Sequence, residues 1–171
     1  YNKIKNIINA YGNVKIDNRD ENYLIYTNEA TYQKNKELFI TKGQSKAINE
    51  DIVINADNFE YNKLNNVINA NGNVVIDNKD ENYLIYSNDA TYLKNKQIFF
   101  TKGQSKAINE DIVINADNFE YNKSKNIINA NGNVEIEDTV NNYLILANEA
   151  TYYKDSEKII PQGDSKADIQ S

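Results

Sequence analysis

The side chains in this sequence that could do chemistry and that recur at a fixed spacing are carboxylates. They cluster at 17–21 (DNRDE) and again at 77–81 (DNKDE). Such clusters resemble a cation-binding loop, but a calcium loop needs spaced oxygen ligands and a glycine at its sharp turn, and these segments have no glycine. The third copy, 137–141 (EDTVN), loses most of the acids. We therefore predict solvated turns that hold no metal.

The composition excludes most other catalytic chemistry. The chain has no Cys, His, Trp or Met, so thiolate nucleophiles, imidazole bases and the usual zinc and copper ligands are absent. Its carboxylates lie in turns, and no general base is paired with a nucleophile. The net charge of −6 offers no basic face to a nucleic acid. We expect no enzyme activity, no cofactor and no nucleic-acid partner.

These turns belong to a unit that is repeated every 60 residues. Its first two copies match at 48 of 60 positions, and the stretch 41–63 recurs unchanged at 101–123. A copy of this kind cannot bury its own apolar face, so stacked copies must share one interior. We predict a single domain over 1–171, whose function comes from a surface that the stack builds. The copies span 1–60, 61–120 and 121–171.

Alternation of apolar and polar residues indicates β-strands throughout. Ile68, Ala70, Gly72, Val74 and Ile76 share one parity, so they should face a dry interior while the asparagines between them face water. Short polar turns imply antiparallel neighbours, and no window predicts a long amphipathic helix. We predict eleven strands, near 5–16, 23–33, 37–47, 52–61, 66–77, 83–92, 97–107, 112–121, 126–137, 142–153 and 157–167.

Three local signals mark irregular positions in these strands. Every glycine recurs in mid-strand at one motif position, which suggests a sharp bend or a close backbone approach. The apolar spacing changes from two to three between Ala56 and Phe59, as in a β-bulge with one extra residue near Asp57. Pro161 stands where the first copy has Thr41, and proline cannot donate to a ladder, so it predicts an edge strand or a bulge.

The repeated residues resemble a known family. The stretch 54–76 (INADNFEYNKLNNVINANGNVVI) is similar to the OstA-like repeat of the lipopolysaccharide-transport proteins, whose pattern is I-x-A-x-x-x-x-Y, a turn, and I-x-x-x-G-x-V. The pattern recurs in register, and the similarity covers essentially the whole chain. The matching residues are Ile54, Ala56, Tyr61, Ile68, Gly72 and Val74, then Ile114, Ala116, Tyr121, Ile128, Gly132 and Val134.

This resemblance implies a fold and a function. The fold is a twisted antiparallel β-jellyroll of two facing sheets, V-shaped and partly open. In the family, acyl chains lie in an apolar groove, and open end strands pair with the next protein to bridge the periplasm. The implied function is non-catalytic transport of lipopolysaccharide across the Gram-negative periplasm. The implied partners are lipopolysaccharide, other bridge components by edge-strand pairing, and further copies of the chain joined head to tail.

Two kinds of family member remain open: LptA, and the periplasmic N-terminal domain of LptD, which is the soluble part of an outer-membrane protein. Tyr1 stands where Tyr61 and Tyr121 end a strand, so the chain is expected to be an excerpt of a longer protein. That expectation favours the LptD-like alternative.

The apolar stripe is either a lipid groove or a closed core. Small inward residues such as Ala70, Ser105 and Ala107 leave room, and the stripe continues through every copy, which favours the groove. The alternative function is a structural or adhesive β-repeat, solenoid-like and without ligand, which predicts a filled interior. The predicted groove residues are Ile8, Val14, Ile16, Phe39, Ile54, Phe59, Ile68, Val74, Ile76, Phe99, Ile114, Phe119, Ile128, Val134 and Ile136.

Overall fold

Sixteen antiparallel strands make up the described part of the chain in a computed structural model, which describes residues 6–19, 22–80 and 82–169. Tyr1, Asp20, Glu21 and Glu81, which entered the predictions above, lie outside these residues. The strands are β1 (Ile7–Asn18), β2 (Tyr23–Gln33), β3 (Leu38–Lys42), β4 (Ser45–Asn49), β5 (Ile52–Ala56), β6 (Asn58–Asn62), β7 (Val67–Asn78), β8 (Tyr83–Leu93), β9 (Ile98–Lys102), β10 (Ser105–Asn109), β11 (Ile112–Ala116), β12 (Asn118–Asn122), β13 (Ile127–Asp138), β14 (Tyr143–Tyr153), β15 (Lys158–Gln162) and β16 (Lys166–Ile169).

The eleven predicted strands correspond to eleven successive segments, which we call arms. Five arms are broken in two: β3/β4, β5/β6, β9/β10, β11/β12 and β15/β16. The predicted strand count was therefore wrong, because apolar alternation does not show where a ladder is interrupted. The all-β antiparallel prediction is confirmed, and the parallel stacking of a solenoid is excluded, since every strand pair in the described residues is antiparallel.

All arms bend along one line, which we call the crease. On one side of it, β3, β6, β9, β12 and β15 pair with halves of the long strands to form sheet A. On the other side, β4, β5, β10, β11 and β16 pair with the remaining halves to form sheet B. The long strand β7, for example, pairs with β6 through 67–71 and with β5 through 75–78. The two sheets face each other across one core.

Single 3-10 turns lie at the ends of sheet A, opposite the crease. They span Lys34–Lys36, Lys94–Lys96, Lys123–Lys125 and Lys154–Ser156. No helix in the described part of the chain is long and apolar enough to cross a membrane. The last three of these turns succeed one another along the array, since the backbone N–H of Lys123 donates to the carbonyl of Gln97 and that of Lys154 to the carbonyl of Asn126, both at 3.0 Å.

Glycine makes the crease possible. Gly72 has φ +75° and the next residue, Asn73, has φ +50°, so two successive residues are left-handed. The N–H of Asp57 donates to the Gly72 carbonyl at 2.9 Å, and Asn73 Nδ2 donates to Asp57 Oδ2 at 3.0 Å. A Cβ on Gly72 would run into the Asp57 carboxylate. The predicted bend and close approach are both confirmed.

The bulge lies in a different arm from the one predicted. In β7 the register shifts between Asn71 and Val74, so that two residues there oppose a single residue of β8. The extra residue therefore lies in the arm that carries Gly72, and not in the arm of Asp57. Asp57 is a single bend between β5 and β6, and that bend causes the three-residue spacing from Ala56 to Phe59.

Both ends of the array carry edge strands. Within the described residues, β1 pairs only with β2, while β15 and β16 pair only with β14. Pro161 lies in β15 opposite Ala150 of β14. The prediction that proline marks an edge strand is therefore confirmed.

Gly72→Ala should destabilise the protein more than Gly12→Ala. Both glycines have φ near +75°, but a Cβ on Gly12 would meet nothing within 4 Å. We expect Gly12→Ala to cost about 1 kcal/mol through its left-handed backbone, and Gly72→Ala about 1–2 kcal/mol more because Asp57 must move and lose a hydrogen bond. Urea unfolding followed by circular dichroism measures both. Equal costs for the two variants would contradict this account of the crease.

Candidate functional site

The interior between the two sheets is a wedge: the long strands pass from one sheet to the other at the crease, and the sheets are not paired at the opposite edge, which we call the mouth. Small residues lie nearest the crease, and their hydroxyls bond to one another. Ser45 Oγ lies 2.7 Å from Thr41 Oγ1 and 2.9 Å from Thr27 Oγ1, and the N–H of Phe59 donates to Thr41 Oγ1 at 2.7 Å. The second copy repeats the cluster with Thr101 Oγ1 2.6 Å from the Ser105 hydroxyl.

This cluster changes the interpretation of the small inward residues. They accommodate the close approach of two sheets at the crease, and their polar atoms are satisfied there. Ser105 is buried within the cluster and Ala70 is buried beside it. The small residues therefore do not by themselves leave room for a ligand.

The predicted groove residues follow the expected parity, but their exposure is uneven along the array. Ile8, on the edge strand β1, is 45% exposed. Half-buried residues follow it, namely Val14, Ile16, Phe39 and Ile68. Buried residues fill the rest of the array, namely Ile54, Phe59, Val74, Ile76, Phe99, Ile114, Phe119, Ile128, Val134 and Ile136.

Aromatic rings stack along the inner face of sheet A, between the crease and the mouth. The ring of Phe99 stacks on that of Tyr92, from the paired strand, at 4.0 Å between centroids, and on that of Tyr121 at 6.1 Å. Phe39 stacks on Tyr32 in the same way, at 4.1 Å. These tyrosines lie directly opposite the phenylalanines on paired strands, where cross-strand side chains are close enough to pack.

An apolar cavity lies between the first and second copies. Its volume is about 30 Å³, which holds about one water molecule, whereas pockets for drug-sized ligands measure about 300–1,000 Å³. An acyl chain therefore enters this region only if the sheets move apart. The cavity is lined by Tyr23, Ile25, Ala47, Ile48, Asn49, Ile52, Ile54, Phe59, Tyr61, Ile68, Tyr92 and Lys94.

Tyrosines and a lysine close the mouth of this cavity. Tyr23 of sheet B meets Tyr61 of sheet A edge to face, with centroids 5.5 Å apart. The Lys94 ammonium lies 5.1 Å from the Tyr23 ring and 5.3 Å from the Tyr61 ring. Sixty residues on, Lys154 lies 4.9 Å from the Tyr83 ring. The mouth of one copy is thus covered by a lysine of the following copy.

The mouth becomes more polar toward the third copy. Tyr152 Oη donates to Asn109 Oδ1 at 3.2 Å, which joins sheet A to sheet B. Asp138, 5% exposed, accepts from the N–H groups of Val140 and Asn141 at 3.0 and 2.8 Å. Burial acts to raise the pKa of Asp138, but hydrogen bonds from Asn141, Tyr143 and Val140 outweigh it and hold the pKa below its ordinary value.

Burial also governs the phenols near the mouth. It raises the pKa of Tyr92, with Glu50 adding to the effect, and the pKa of Tyr152, with Glu157 adding to it. The pKa of Tyr143 is raised first by burial and then by Asp138. These phenols remain neutral at physiological pH. No group of acidic side chains in the described residues is arranged to hold a metal ion.

Several residues that line the cavity are not among the predicted groove residues, all of which are aliphatic or phenylalanine. The missed residues include Tyr23, Tyr61, Tyr92 and Lys94. Their recurrence was visible: Tyr23 returns as Tyr83 and Tyr143, and Lys94 returns as Lys154. A tyrosine and a lysine that keep their places every 60 residues indicate a contact that each copy needs.

Comparisons with known proteins agree with this architecture. A family model described as "Lipopolysaccharide-assembly, LptC-related" matches residues 43–139, more than half of the chain. Among solved structures, the chain is similar to LptH of Pseudomonas aeruginosa, an LptA-homologous periplasmic component of the lipopolysaccharide transport device. The TM-score is 0.62 at 14% identity, covering 70% of this chain and 95% of LptH. No curated protein sequence matches the chain.

These matches support the lipopolysaccharide-transport family predicted from the repeat. They select neither of the two members considered there, since the matching model is LptC-related. At 14% identity, the likeness to LptH concerns the fold alone.

Asp138→Asn should make the stability of the protein less dependent on acid pH. The folded-state pKa of Asp138 lies below its ordinary value of 3.8, so its contribution is complete above that value and is lost as the pH falls through the folded pKa. We expect the wild type to be more stable by about 1 kcal/mol at neutral pH, with the gap closing below about pH 4.

Urea unfolding at a series of pH values measures this gap. Asn78 occupies the same position in the second copy, so the fold accepts the amide there. Asp80→Asn, in the equivalent exposed turn, corrects for the loss of one carboxylate. A gap that stays constant down to about pH 2 would refute the role given to Asp138.

Proposed function

The chain belongs to the LptC-related family of lipopolysaccharide-assembly proteins, and from this premise we propose that it is a non-catalytic component of a lipopolysaccharide-transport bridge in the Gram-negative periplasm. Acyl chains bind in the interior between the sheets, and edge strands join the chain to its neighbours in the bridge. No step of this function requires a covalent intermediate, a cofactor or a metal.

The observation that carries the proposal is an apolar interior that runs unbroken through all three copies. Burying an acyl chain there yields about 0.8 kcal/mol per CH₂ group. Several chains of ordinary length would thus bind without a charged contact. A continuous stripe also lets a chain move along the array without crossing a polar barrier.

The filled interior has to open for this to happen. The first copy is the place where least must move, because Ile8 is 45% exposed and Val14, Ile16 and Phe39 are only half-buried. Farther along, the sheets are held at the mouth by pairs such as Tyr23 and Tyr61. A pair of this kind contributes about 0.5–1.5 kcal/mol, which the burial of two or three CH₂ groups offsets. We propose that acyl chains enter beside β1 and part the sheets as they advance.

The two edges provide the means of assembly. Unpaired strand edges are templates for pairing with another chain, and the described residues leave β1 free at one end and β15 and β16 free at the other. We propose that other bridge components or further copies of the chain add their strands here. The interior of one protein then continues into the next.

A structural or adhesive array without ligand is the second candidate, and the filled interior favours it. An antiparallel structural array is as compatible with the observed sheets as a transport protein is. The two candidates differ in whether lipid reaches the inward positions of β1, and the next experiment separates them.

Benzoylphenylalanine at Ile8 should crosslink to lipopolysaccharide, whereas the same group at Tyr11 should not. Both positions lie on β1, but Ile8 has the inward parity and Tyr11 is 71% exposed on the outer face. Purified lipopolysaccharide, ultraviolet light and a gel shift measure the adducts. Phe99 is unsuitable as a site because it is 1% exposed, and Phe99→Arg would bury a charge and unfold the protein. Adducts confined to Tyr11, or none at either position, would favour the structural array.

Edge pairing should show as a ladder of disulfide-linked oligomers. The chain has no cysteine, so Lys15→Cys with Lys166→Cys places its only thiols on the two free edges of sheet B. Head-to-tail pairing should give dimers, trimers and longer species on oxidation, and each single variant at most dimers. Lys46→Cys with Lys106→Cys, exposed on inner strands, is the matched control. A ladder no longer than that of the control would contradict head-to-tail pairing.

A further inference from the structure

We propose that the outer face of sheet B binds the same face of a second molecule of the protein, about a twofold axis that runs along β8. Such a contact uses one surface twice, so it closes at a dimer. It differs from the edge pairing proposed above, which adds molecules end to end. It requires no lipid and stands independently of the proposed function.

Two rows of outward-facing side chains cross sheet B from β1 to β16. The row nearer the mouth, which we call the mouth row, has Leu84, Ile108 and Val113 on three neighbouring strands. The first copy has the same three residue types sixty positions earlier, and Leu144 continues the row in the third copy. All these side chains are half-buried. An apolar row of this length on an outer face is typical of an interaction site.

The second row, which we call the crease row, lies two residues closer to the crease. Its Tyr26, Tyr86 and Leu146 recur every sixty residues and are exposed. Lys46 lies opposite Tyr26 on the neighbouring strand, and Lys106 lies opposite Tyr86. Tyrosine is frequent in interfaces because its ring is apolar and its hydroxyl can remain in water.

The charges in these rows have opposite signs at equal distances from β8, the sixth of the eleven strands of sheet B. On the strands next to β8, Asp77 lies on one side and Lys106 on the other. Three strands away, Lys46 lies on one side, and Glu135 and Glu137 lie on the other. The order of charge is therefore complementary to its own reversal.

A twofold axis along β8 uses this order. It places strands at equal distances on opposite sides of β8 across from each other, so Lys46 of one molecule faces Glu135 of the other. Lys106 lies diagonally across from Asp77 in the same way. On the axis, Leu84 meets Leu84 of the other molecule. Each contact between unlike residues occurs twice in the dimer.

The face as a whole is nearly neutral. At its ends, Lys166 Nζ lies 2.6 Å from Asp168 Oδ2, and Lys15 Nζ lies 3.8 Å from Asp17 Oδ2. The two rows carry four lysines and five carboxylates, whereas the whole chain has a net charge of −6. Two molecules therefore repel each other less across this face than across the rest of their surfaces.

The outer face of sheet A lacks this complementarity. It also has β8 as its middle strand, but Glu60 and Glu120 lie in one row on the second strands to either side. The same axis would bring these two carboxylates face to face, and like charges that meet in an interface oppose binding. The charges thus select sheet B.

The area of the face fits a dimer of moderate affinity. Eleven strands span about 48 Å, and two rows of side chains are about 13 Å wide. Each molecule would bury about 600 Å², so the total of about 1,200 Å² is at the lower limit for a stable, specific interface. We expect a dissociation constant in the micromolar range.

Sedimentation velocity of the whole chain tests the contact. Between about 1 and about 100 µM, the wild type should pass from monomer to dimer and form nothing larger through this face. Leu84→Glu places like charges on the axis and should weaken the dimer at least about tenfold. Thr91→Glu, on the same strand but on the outer face of sheet A, should not. A monomeric wild type, or equal effects of the two variants, would overturn the inference.

A charge swap tests the position of the axis. Lys46→Glu and Glu135→Lys should each weaken the dimer about tenfold, and the double variant should regain the wild-type affinity. Both side chains are exposed, so the fold should tolerate either change. They lie six strands apart, about 29 Å in one molecule, so only a contact between molecules can produce the recovery. A double variant weaker than either single variant would refute this axis.

The outcomes separate this inference from the proposed function. If the only oligomers are longer than a dimer and survive Leu84→Glu, they arise from edge pairing, and the dimer is overturned while transport stands. If Ile8 gives no lipid adduct while the charge swap restores the dimer, transport fails and the dimer stands.

Discussion

The crease is the constraint on which the rest of the structure depends. Eleven antiparallel arms would otherwise form a meander with one apolar face open to water. In the arms that carry a glycine, left-handed residues such as Gly72 and Asn73 turn the backbone. An Asp or Asn of the neighbouring arm packs against every glycine except Gly12, as Asp57 does against Gly72. The glycine makes that approach possible because a Cβ would occupy the space of the carboxylate. Once every arm bends at the same place, the meander closes on itself and its apolar face becomes an interior.

The wedge that results has different physical properties at its two edges. At the crease, buried hydroxyls such as Thr41 and Ser45 satisfy one another and a backbone N–H, so this edge cannot open without leaving polar groups unpaired. At the mouth, Tyr23 meets Tyr61 edge to face and Lys94 lies over both rings, and contacts of these two kinds contribute about 0.5–1.5 kcal/mol each. Opening of the interior is therefore expected to take place about the crease, at the mouth. The proposed transport requires this direction of movement.

The fold could be predicted from the sequence to the extent that it depends on the alternation of apolar and polar residues and on the residues that form turns or interrupt strands. Alternation located all eleven arms, the short polar turns gave their antiparallel order, and Pro161 marked an edge. The interruption of five arms was not predictable, because it depends on hydrogen bonds between neighbouring strands. The bulge was placed in the wrong arm for a related reason: a spacing of three near Asp57 shows a bend, but only the partner strands show that the extra residue follows Gly72.

The candidate site was only partly predictable. Val74, Ile76 and Phe59 were assigned to the interior correctly. How much space they leave depends on the distance between sheets, and that distance is set by contacts between residues far apart in sequence. Lys94 and Tyr23 are 71 positions apart, and no periodicity of 2 or 3.6 connects them. The 60-residue recurrence of both residues was the available signal.

The pairing of nearly identical copies has a further consequence for the size of the array. The segment 41–63 is identical to 101–123, and each of the first two copies contributes four arms. Removing or adding a copy of this kind therefore leaves the junctions between copies nearly unchanged. Four arms at the usual strand spacing extend the array by about 19 Å. Unequal recombination within the gene would thus change the length of the array in fixed steps, without the evolution of a single new interface.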